Sequence, residues 1–315
     1  MTTAVLRVLQ SGPHVSWQDA GRRGKMRFGV PQSGPMDRVA LAAANLAAGN
    51  AAHSAAIEIS LGGLIVECLS GRLTLAVAGG GFLVETDDHR PGSWSTLPLR
   101  AGQRLTIRPG HWGCWTYLAL AGQPRLSTWL GSSATHIPSG RGGGRLVTGQ
   151  EIVVDDPRAS DDPPRPIPCP VWARPRDEIH VVTGPQDRFF DADVIGMFYA
   201  NAFALTGAYD RMGVRLSGPR LHSTQALAIP SEPIMRGSVQ VAGDGVPTVL
   251  LADHQTTGGY PKIATIIDDD MDGFVQLRPN DAVGFRQVTA QQAVRIARQR
   301  ATSTNTYLHA LTRLG

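Results

Sequence analysis

The sequence has few cysteines, and they form no pairing pattern. Cys68, Cys114 and Cys169 are odd in number and widely spaced, and no Cys-x-x-Cys occurs. The spacing excludes a framework of paired disulfides and a thiolate zinc site, and it predicts reduced thiols in a cytoplasmic protein. The chain also lacks a signal-peptide hydrophobic region and any apolar run of about 18 residues, so we expect no membrane association.

Clusters of like charge are missing as well. The 30 basic and 26 acidic residues leave a net charge of +4, and the basic residues, mostly arginine, are scattered. Nucleic-acid surfaces concentrate basic residues on one face, so we expect no nucleic-acid partner. A mildly basic balance suits a small anionic substrate or a carboxylate better.

The common catalytic motifs are absent too. No Gly-x-Ser-x-Gly, His-Glu-x-x-His or zinc-spaced Cys/His set occurs, and the nine histidines are dispersed, so we predict no metal site. The triplet Gly79-Gly80-Gly81 is not followed by Lys-Ser/Thr and does not match a phosphate-binding P-loop. We therefore predict that this chain binds no nucleotide by itself.

Glycine and proline, by contrast, are abundant and follow no repeat. The 315 residues include 36 Gly and 22 Pro, and 42% are hydrophobic, which is enough for a substantial core. Frequent turn residues between short apolar runs predict a mainly β protein. A proline-rich segment without periodicity, 156–176, predicts a linker or a long surface crossing. We accordingly expect one β subdomain over 1–155, a second over 177–289 and a C-terminal helical segment over 290–315.

Local patterns predict several individual elements. Two apolar runs joined by a Gly-Gly pair predict a β-hairpin over 56–68. Ser33 is expected to cap a helix that runs from about residue 35 to 48. Further helices are expected near 190–202 and 290–300, the latter amphipathic.

One polar loop lies between two predicted strands. Thr248–Ala252 and Ile263–Ile267 are apolar and rich in β-branched residues, which indicates buried strands. Between them, 253–262 gathers seven polar side chains around the pair Gly258-Gly259. Strands on both sides can hold such a loop rigidly for binding. The alternative is a structural loop whose hydroxyl groups satisfy backbone atoms.

This loop and other segments resemble the biotin-dependent carboxyltransferase family, also called allophanate hydrolase subunit 2. The run ADHQTTGGYPKIATI, 252–266, is similar to the family signature Asp-x-Gln-Thr-Thr-Gly-Gly-Tyr-Pro-Lys-Ile-Ala-Thr. Further similar segments follow one another along the chain at 18–37, 184–190 and 210–219. His254 stands where the family commonly has Arg. The resemblance implies a mainly β fold with two cyclophilin-like β-barrel subdomains and a few short helices.

The resemblance also implies a set of site residues. Lys262 and Arg211 are expected to stabilise negative charge on an amide or ureido oxygen, and Asp210 or Asp253 to move a proton. A structural salt-bridge network is the alternative for these four. The expected substrate-binding residues are Gln255, Thr256, Thr257, Gly258, Tyr260, Ser33, Asp37 and Arg38. We predict that loop 253–262 and Asp210-Arg211 lie at one cleft, with 31–38 as a candidate third part.

For function, the resemblance implies one subunit of a multi-subunit amide-processing enzyme that is inactive alone. The first expectation is the C subunit of 5-oxoprolinase, which acts with partner subunits in the ATP-dependent conversion of 5-oxoproline to L-glutamate. One alternative is the carboxyltransferase component of a biotin-dependent urea carboxylase or allophanate hydrolase-type system. The other is a KipA-like regulatory protein that antagonises a kinase inhibitor.

The resemblance implies partners and cofactors as well. The expected partners are a KipI-like protein of the subunit 1 type and a LamB/YcsF-like subunit, with ATP bound by those chains and a small amide as substrate. No biotinyl-lysine motif of the Ala-Met-Lys-Met type occurs. We therefore expect no covalently bound cofactor, and any biotin would be carried by another chain.

Overall fold

The computed structural model describes residues 2–224 and 229–313, which group into two compact units. The first unit comprises Met1–Arg22, Ser33–Arg174 and Thr304–Gly315, and the second comprises Arg23–Gln32 and Pro175–Ser303. The division between Arg174 and Pro175 falls inside the proline-rich segment 156–176. The domain limits expected from the sequence remain a prediction.

The first unit consists of two antiparallel sheets of six strands each. Their orders are β10-β11-β1-β4-β8-β6 and β12-β7-β5-β9-β3-β2. The strands are β1 (Thr3–Ser11), β2 (Ser16–Gln18), β3 (Ala56–Ile59), β4 (Leu64–Ser70), β5 (Arg72–Ala78), β6 (Leu83–Thr86), β7 (Ser95–Arg100), β8 (Arg104–Arg108), β9 (Thr116–Leu120), β10 (Gln123–Pro124), β11 (Glu151–Asp155) and β12 (Arg165–Pro166).

The core of this unit follows from alternation along the strands. In β5, Leu73, Leu75 and Val77 join one large apolar cluster, whereas Ala76 and Ala78 join a second cluster. Successive side chains of a strand point to opposite faces, so the two clusters lie on opposite sides of β5. Helix α1 (Arg38–Ala47) contributes three buried alanines to the second cluster and contacts β5 and β9. Small side chains on both partners allow this close packing.

Two local expectations in this unit were wrong. The helix is capped by Asp37, whose side chain accepts a hydrogen bond from Ala40 N, and not by Ser33. Ser33 has φ of 54° and precedes Gly34 and Pro35, so its backbone does not lead into a helix. The hairpin over 56–68 does not form either: β3 pairs with β2 and β9, and β4 pairs with β1 and β8. The Gly-Gly pair crosses between the two sheets.

The second unit contains a closed barrel of seven strands. Its order is β13-β20-β17-β18-β15-β14-β21, antiparallel except for the parallel pair β13–β21, and β16 and β19 form a separate two-stranded ladder. The strands are β13 (Glu178–Thr183), β14 (Phe203–Tyr209), β15 (Gly213–Ser217), β16 (Glu232–Pro233), β17 (Ser238–Val241), β18 (Pro247–Leu250), β19 (Thr257–Gly258), β20 (Lys262–Ile266) and β21 (Ala282–Gln287). The prediction of a mainly β protein with barrel architecture is confirmed.

The remaining helices are few. They are α2 (Ala192–Ala200), α3 (Met271–Phe274) and α4 (Ala290–Leu311), with short 3-10 turns at Met26–Phe28, Ile137–Ser139, Val171–Ala173, Asp187–Phe189 and Asp268–Asp270. The expected helices near 190–202 and 290–300 are confirmed, although α4 continues to Leu311. Within residues 2–224 and 229–313, no helix has the length and apolar character needed to cross a membrane.

Candidate functional site

The polar loop lies between two neighbours of the barrel strand β17. It leaves β18, forms the short strand β19, and returns as β20. Its residues Gly258 and Thr257 pair with Glu232 and Pro233 of β16. The loop is therefore held at both ends by the barrel and in its middle by a second ladder.

The first end of the loop is closed by a buried ion pair between Arg211 and Asp253. The guanidinium donates from Nε to Asp253 Oδ2 at 2.9 Å and from NH2 to Asp253 Oδ1 at 3.0 Å, and the side chains are 2% and 0% exposed. Asp253 N also donates to Arg211 O at 2.7 Å. The structure thus brings the predicted turn Asp210-Arg211 and the predicted loop together, and it directs these two charges at each other.

Asp210 makes a local turn beside this pair. Its Oδ1 accepts hydrogen bonds from Met212 N at 2.7 Å and Gly213 N at 3.1 Å, and the residue is exposed. An aspartate that bonds the backbone two and three residues ahead stabilises a turn. Asp210 therefore shapes the approach of β15 to the loop.

Lys262 lies at the other end of the loop, as the first residue of β20. The pairing of β20 with β17 runs from Val239–Ala264 to Gln240–Lys262, so Ile263 is an extra residue. Such an irregularity re-aims the side chains around it. Lys262 is 4% exposed, and its Nζ donates no hydrogen bond to any described residue. A buried ammonium normally has partners for its three donors, so Lys262 Nζ can still donate to a ligand.

Two polar residues from outside the loop surround Lys262. Glu232 Oε2 lies 3.6 Å from Lys262 Nζ, and this carboxylate side chain is 44% exposed. Gln186 donates from Nε2 to the same Oε2 at 2.7 Å and accepts at Oε1 from Lys262 N at 3.0 Å. The lysine therefore has a carboxylate at ion-pair distance, and that carboxylate opens towards solvent.

Gln240 supplies another buried donor next to the loop. It is paired with Lys262 across the strands, is 5% exposed, and its Nε2 has no hydrogen bond to a described residue. A Cβ placed on Gly258 would lie 2.7 Å from this Nε2, so glycine is what leaves room for the amide. An ammonium and an amide N–H group near one ladder can together hold a carbonyl or carboxylate oxygen.

The other predicted loop residues surround this position in different ways. Gln255, Thr257 and Tyr260 are exposed, whereas Thr256 is half-buried and its carbonyl accepts from Ile234 N. His254 is 4% exposed, and its Nδ1 lies 2.6 Å from Gln255 O. Burial lowers the pKa of His254, more strongly than its contact with the Gln255 carbonyl raises it. The exposed side chains are the ones free to contact a substrate.

Two of the predicted residues of the first unit, Ser33 and Asp37, are buried close to the start of α1. Ser33 is 5% exposed, and its Oγ has no hydrogen bond to a described residue. Asp37 is fully buried as the cap of α1, which begins with Arg38. The prediction that segment 31–38 joins the loop remains a prediction.

Two buried residues outside the predicted site, Tyr117 and Glu58, hold the backbone at Met36 and Asp37. Tyr117 OH donates to Glu58 Oε2 at 2.6 Å and accepts from Asp37 N at 2.8 Å, while Met36 N donates to the same Oε2 at 2.8 Å. Burial, followed by the negative charges of Glu58 and Asp37, raises the pKa of Tyr117 well above its ordinary value. The tyrosine therefore remains a neutral donor.

Sequence reasoning missed Gln186, Glu232 and Gln240 in the second unit. One available signal was the rarity of lysine: of 30 basic residues only Lys25 and Lys262 are lysines, so a lysine in a polar loop is a specific choice. No signal in the sequence points from Lys262 to its three neighbours. Among the described residues, no group of His, Cys, Asp and Glu could hold a metal ion.

The sequence around this site is similar to that of known proteins. A family model for the carboxyltransferase domain, subdomain A and B, matches residues 28–287, which include the whole loop. The C subunit of 5-oxoprolinase from Escherichia coli (strain K12) is 34% identical over 298 residues, covering 94% of this chain and 94% of that protein.

Larger proteins contain a similar region. A putative urea carboxylase of Emericella nidulans is 30% identical over 308 residues, which cover 92% of this chain and 25% of that protein. The crystal structure of the K. lactis urea amidolyase aligns with a TM-score of 0.86 at 25% identity, over 98% of this chain and 20% of that one. The similarity therefore spans both units.

Proposed function

Because the chain belongs to the family of the carboxyltransferase domain, subdomain A and B, we propose that it acts as the C subunit of a 5-oxoprolinase. The observation that carries this choice is the match to the Escherichia coli protein of that name over 94% of both chains. The urea carboxylase relative is about four times longer than this chain, since the matched region covers only 25% of it. In this proposal, the assembled enzyme opens 5-oxoproline to L-glutamate with consumption of ATP.

The Lys262 end of the loop is the proposed substrate position. Opening the lactam ring breaks the amide C–N bond, adds the oxygen of water to the carbonyl carbon and leaves a proton on the nitrogen. Negative charge develops on the carbonyl oxygen, and buried donors that are already in place stabilise it. Lys262 Nζ and Gln240 Nε2 are two such donors, since neither donates a hydrogen bond to a described residue.

The rest of the loop orients the substrate in this proposal. The polar groups around Lys262 come from the loop residues Gln255, Thr256, Thr257 and Tyr260. Gly258 leaves space for the amide of Gln240. A role of Ser33, Asp37 and Arg38 in substrate binding remains a prediction.

The charged residues at the other end of the loop take different roles. Arg211 and Asp253 act through the placement of the loop, because their charged groups bond each other. Asp210 is the exposed carboxylate of the set, and we assign proton transfer to it.

ATP and the chemistry on its phosphates belong to other chains in this proposal. Gly79-Gly80-Gly81 directly follows strand β5, but it lacks the Lys-Ser/Thr that a P-loop needs. The partners would be a KipI-like protein and a LamB/YcsF-like subunit. The isolated chain is accordingly expected to be inactive.

A second candidate function is carboxyl transfer, which the similarity to urea carboxylase and urea amidolyase favours. The two buried donors fit a ureido carbonyl as well as a lactam carbonyl, so Lys262 and Gln240 would hold that oxygen. A biotin carried by another chain would supply the carboxyl group. This chain's own part would remain the orientation and charge stabilisation of the acceptor.

Reconstitution tests the choice between these functions. The chain is purified with its KipI-like and LamB/YcsF-like partners, and glutamate release from 5-oxoproline is measured with and without ATP. We expect release that requires ATP and all partners, and that falls by about 10²–10³-fold in Lys262→Ala. Glutamate release by the isolated chain, or none by the complete assembly, would contradict the proposal. Carboxylation of urea by an assembly with a biotin-carrying carboxylase would instead support the second candidate.

A further inference from the structure

Gln186 connects the backbone of Lys262 to the carboxylate beside its ammonium. Its Oε1 accepts from Lys262 N at 3.0 Å, and its Nε2 donates to Glu232 Oε2 at 2.7 Å, while that Oε2 lies 3.6 Å from Lys262 Nζ. The backbone N–H can only donate and the ionised carboxylate can only accept, so the amide has one possible orientation. The three residues form a closed ring.

The ring compensates for the mobility expected of Glu232. This side chain is 44% exposed and would otherwise lose rotamer freedom for a weak, solvent-screened attraction to the lysine. Gln186 is 1% exposed, and both ends of its amide are hydrogen-bonded. Its side chain is already ordered, so fixing the carboxylate costs no further side-chain entropy of Gln186. The bond at 2.7 Å is charge-assisted and therefore among the stronger kinds.

The identity of residue 262 agrees with this geometry. The chain uses lysine only twice among 30 basic residues, and it buries one of the two in this ring. An ammonium is a compact point charge with three donors, whereas a guanidinium is a larger planar fork. The compact group can face Glu232 and still turn its donors towards a ligand.

From these contacts we infer that Gln186 is a positioning residue, which acts through Glu232 to keep the Lys262 ammonium aimed at the substrate oxygen. The assignment of the substrate rests on the proposed function, but the ring itself does not. Gln186 touches no substrate in this arrangement. Its effect on the reaction passes entirely through Lys262.

The first test needs no substrate. In a Lys25→Arg background, Lys262 is the only lysine left, and its acylation by a neutral acetylating ester can be followed by peptide mass spectrometry. The ring holds Lys262 at 4% exposure, so a side chain released from the ring meets the reagent more often. Gln186→Met and Glu232→Gln should therefore each raise the acylation rate of Lys262 by about threefold or more. Glu232→Gln keeps the shape of a half-exposed side chain, so it remains informative should Gln186→Met fold poorly.

A matched control is available on the same barrel. Gln287 is exposed, and its Nε2 donates to Thr183 Oγ1 and not to Glu232. Gln287→Met should leave the acylation rate of Lys262 unchanged. Unchanged rates in both Gln186→Met and Glu232→Gln would overturn the inference.

The second test is a double-mutant cycle on the assembled enzyme. Gln186→Met should lower kcat by about tenfold or more when Lys262 is present, and by less than about twofold in the Lys262→Ala background. Equal losses in both backgrounds would show a general structural effect and would overturn the positioning role. If acylation rises as expected while the complete wild-type assembly releases no glutamate, the ring stands and the proposed function fails.

Discussion

The two ends of loop 253–262 carry ion pairs that differ in completeness. Arg211 and Asp253 make two parallel hydrogen bonds, and both side chains are buried. Lys262 and Glu232 approach only to 3.6 Å, with the lysine buried and the glutamate 44% exposed. In the first pair the two charged groups bond each other, whereas in the second pair the ammonium has donors left for another partner.

This difference separates structure from function within one motif. A buried pair whose hydrogen bonds are complete holds the chain, and removing one partner leaves an uncompensated charge. A buried cation with unfilled donors costs stability unless a ligand or another group completes it. We therefore expect damage at the first pair to affect folding and damage at the second to affect activity.

The largest expected effect comes from breaking the complete pair. Arg211→Ala leaves Asp253 buried and unpaired, which should lower the free energy of unfolding by about 3–5 kcal/mol. Urea unfolding followed by circular dichroism measures this loss. Tryptophan fluorescence serves as a comparison, because all six tryptophans lie in the first unit. Arg215→Ala is the control, since it breaks an exposed pair with Asp244 and should leave the midpoint unchanged. An unchanged midpoint in Arg211→Ala would remove the contrast between the two ends.

The next effect comes from removing the incomplete pair. Lys262→Ala should lower kcat of the assembled enzyme by about 10²–10³-fold, as expected when one oxyanion donor is lost. The melting temperature should change little, because no hydrogen bond from Nζ to a described residue is lost. Lys262→Arg should restore little activity, since the planar fork does not fit the position of the ammonium. Early unfolding of Lys262→Ala with normal activity of the folded fraction would assign the lysine to structure.

A smaller effect should follow from filling the space beside Gln240. In Gly258→Ala the new Cβ would meet Gln240 Nε2 at 2.7 Å, so the amide must move, although its flexible side chain can do so cheaply. We expect kcat to fall about tenfold if this amide contributes one hydrogen bond to the developing oxyanion, with little change in stability. Gly243→Ala is the control, because nothing lies within 4 Å of the added Cβ. Identical kcat values in the two variants would exclude Gln240 from the site.

The smallest expected effect concerns the pH dependence of loop stability. Burial lowers the pKa of His254 in the folded protein, so the folded state binds this proton less readily than the unfolded state does. Stability is therefore complete above the unfolded pKa of about 6.5 and declines as pH falls below it. His254→Gln should flatten that decline in urea midpoints measured between about pH 7 and pH 5. An equally steep decline in the variant would assign the pH dependence to other groups.

Part of this site was predictable because it is local in sequence. The glycines and hydroxyls of 253–262 between two apolar runs indicate a loop held by strands, and β18 and β20 lie within two residues of the predicted limits. The helix cap was not predictable in the same way. Both Ser33 and Asp37 are good capping residues, and the backbone of Ser33 at φ 54° decided between them.

The sequence by itself determined the strand-rich class, the polar loop and the family, because alternation, turn residues and motifs are properties of neighbouring residues. Only the tertiary structure decided which charges pair. Gln186 reaches the backbone of Lys262 across 76 residues of chain, and the extra residue Ile263 brings Lys262 opposite Gln240. These contacts depend on which strands become neighbours in the barrel and in what register, and separation along the chain carries no information about either.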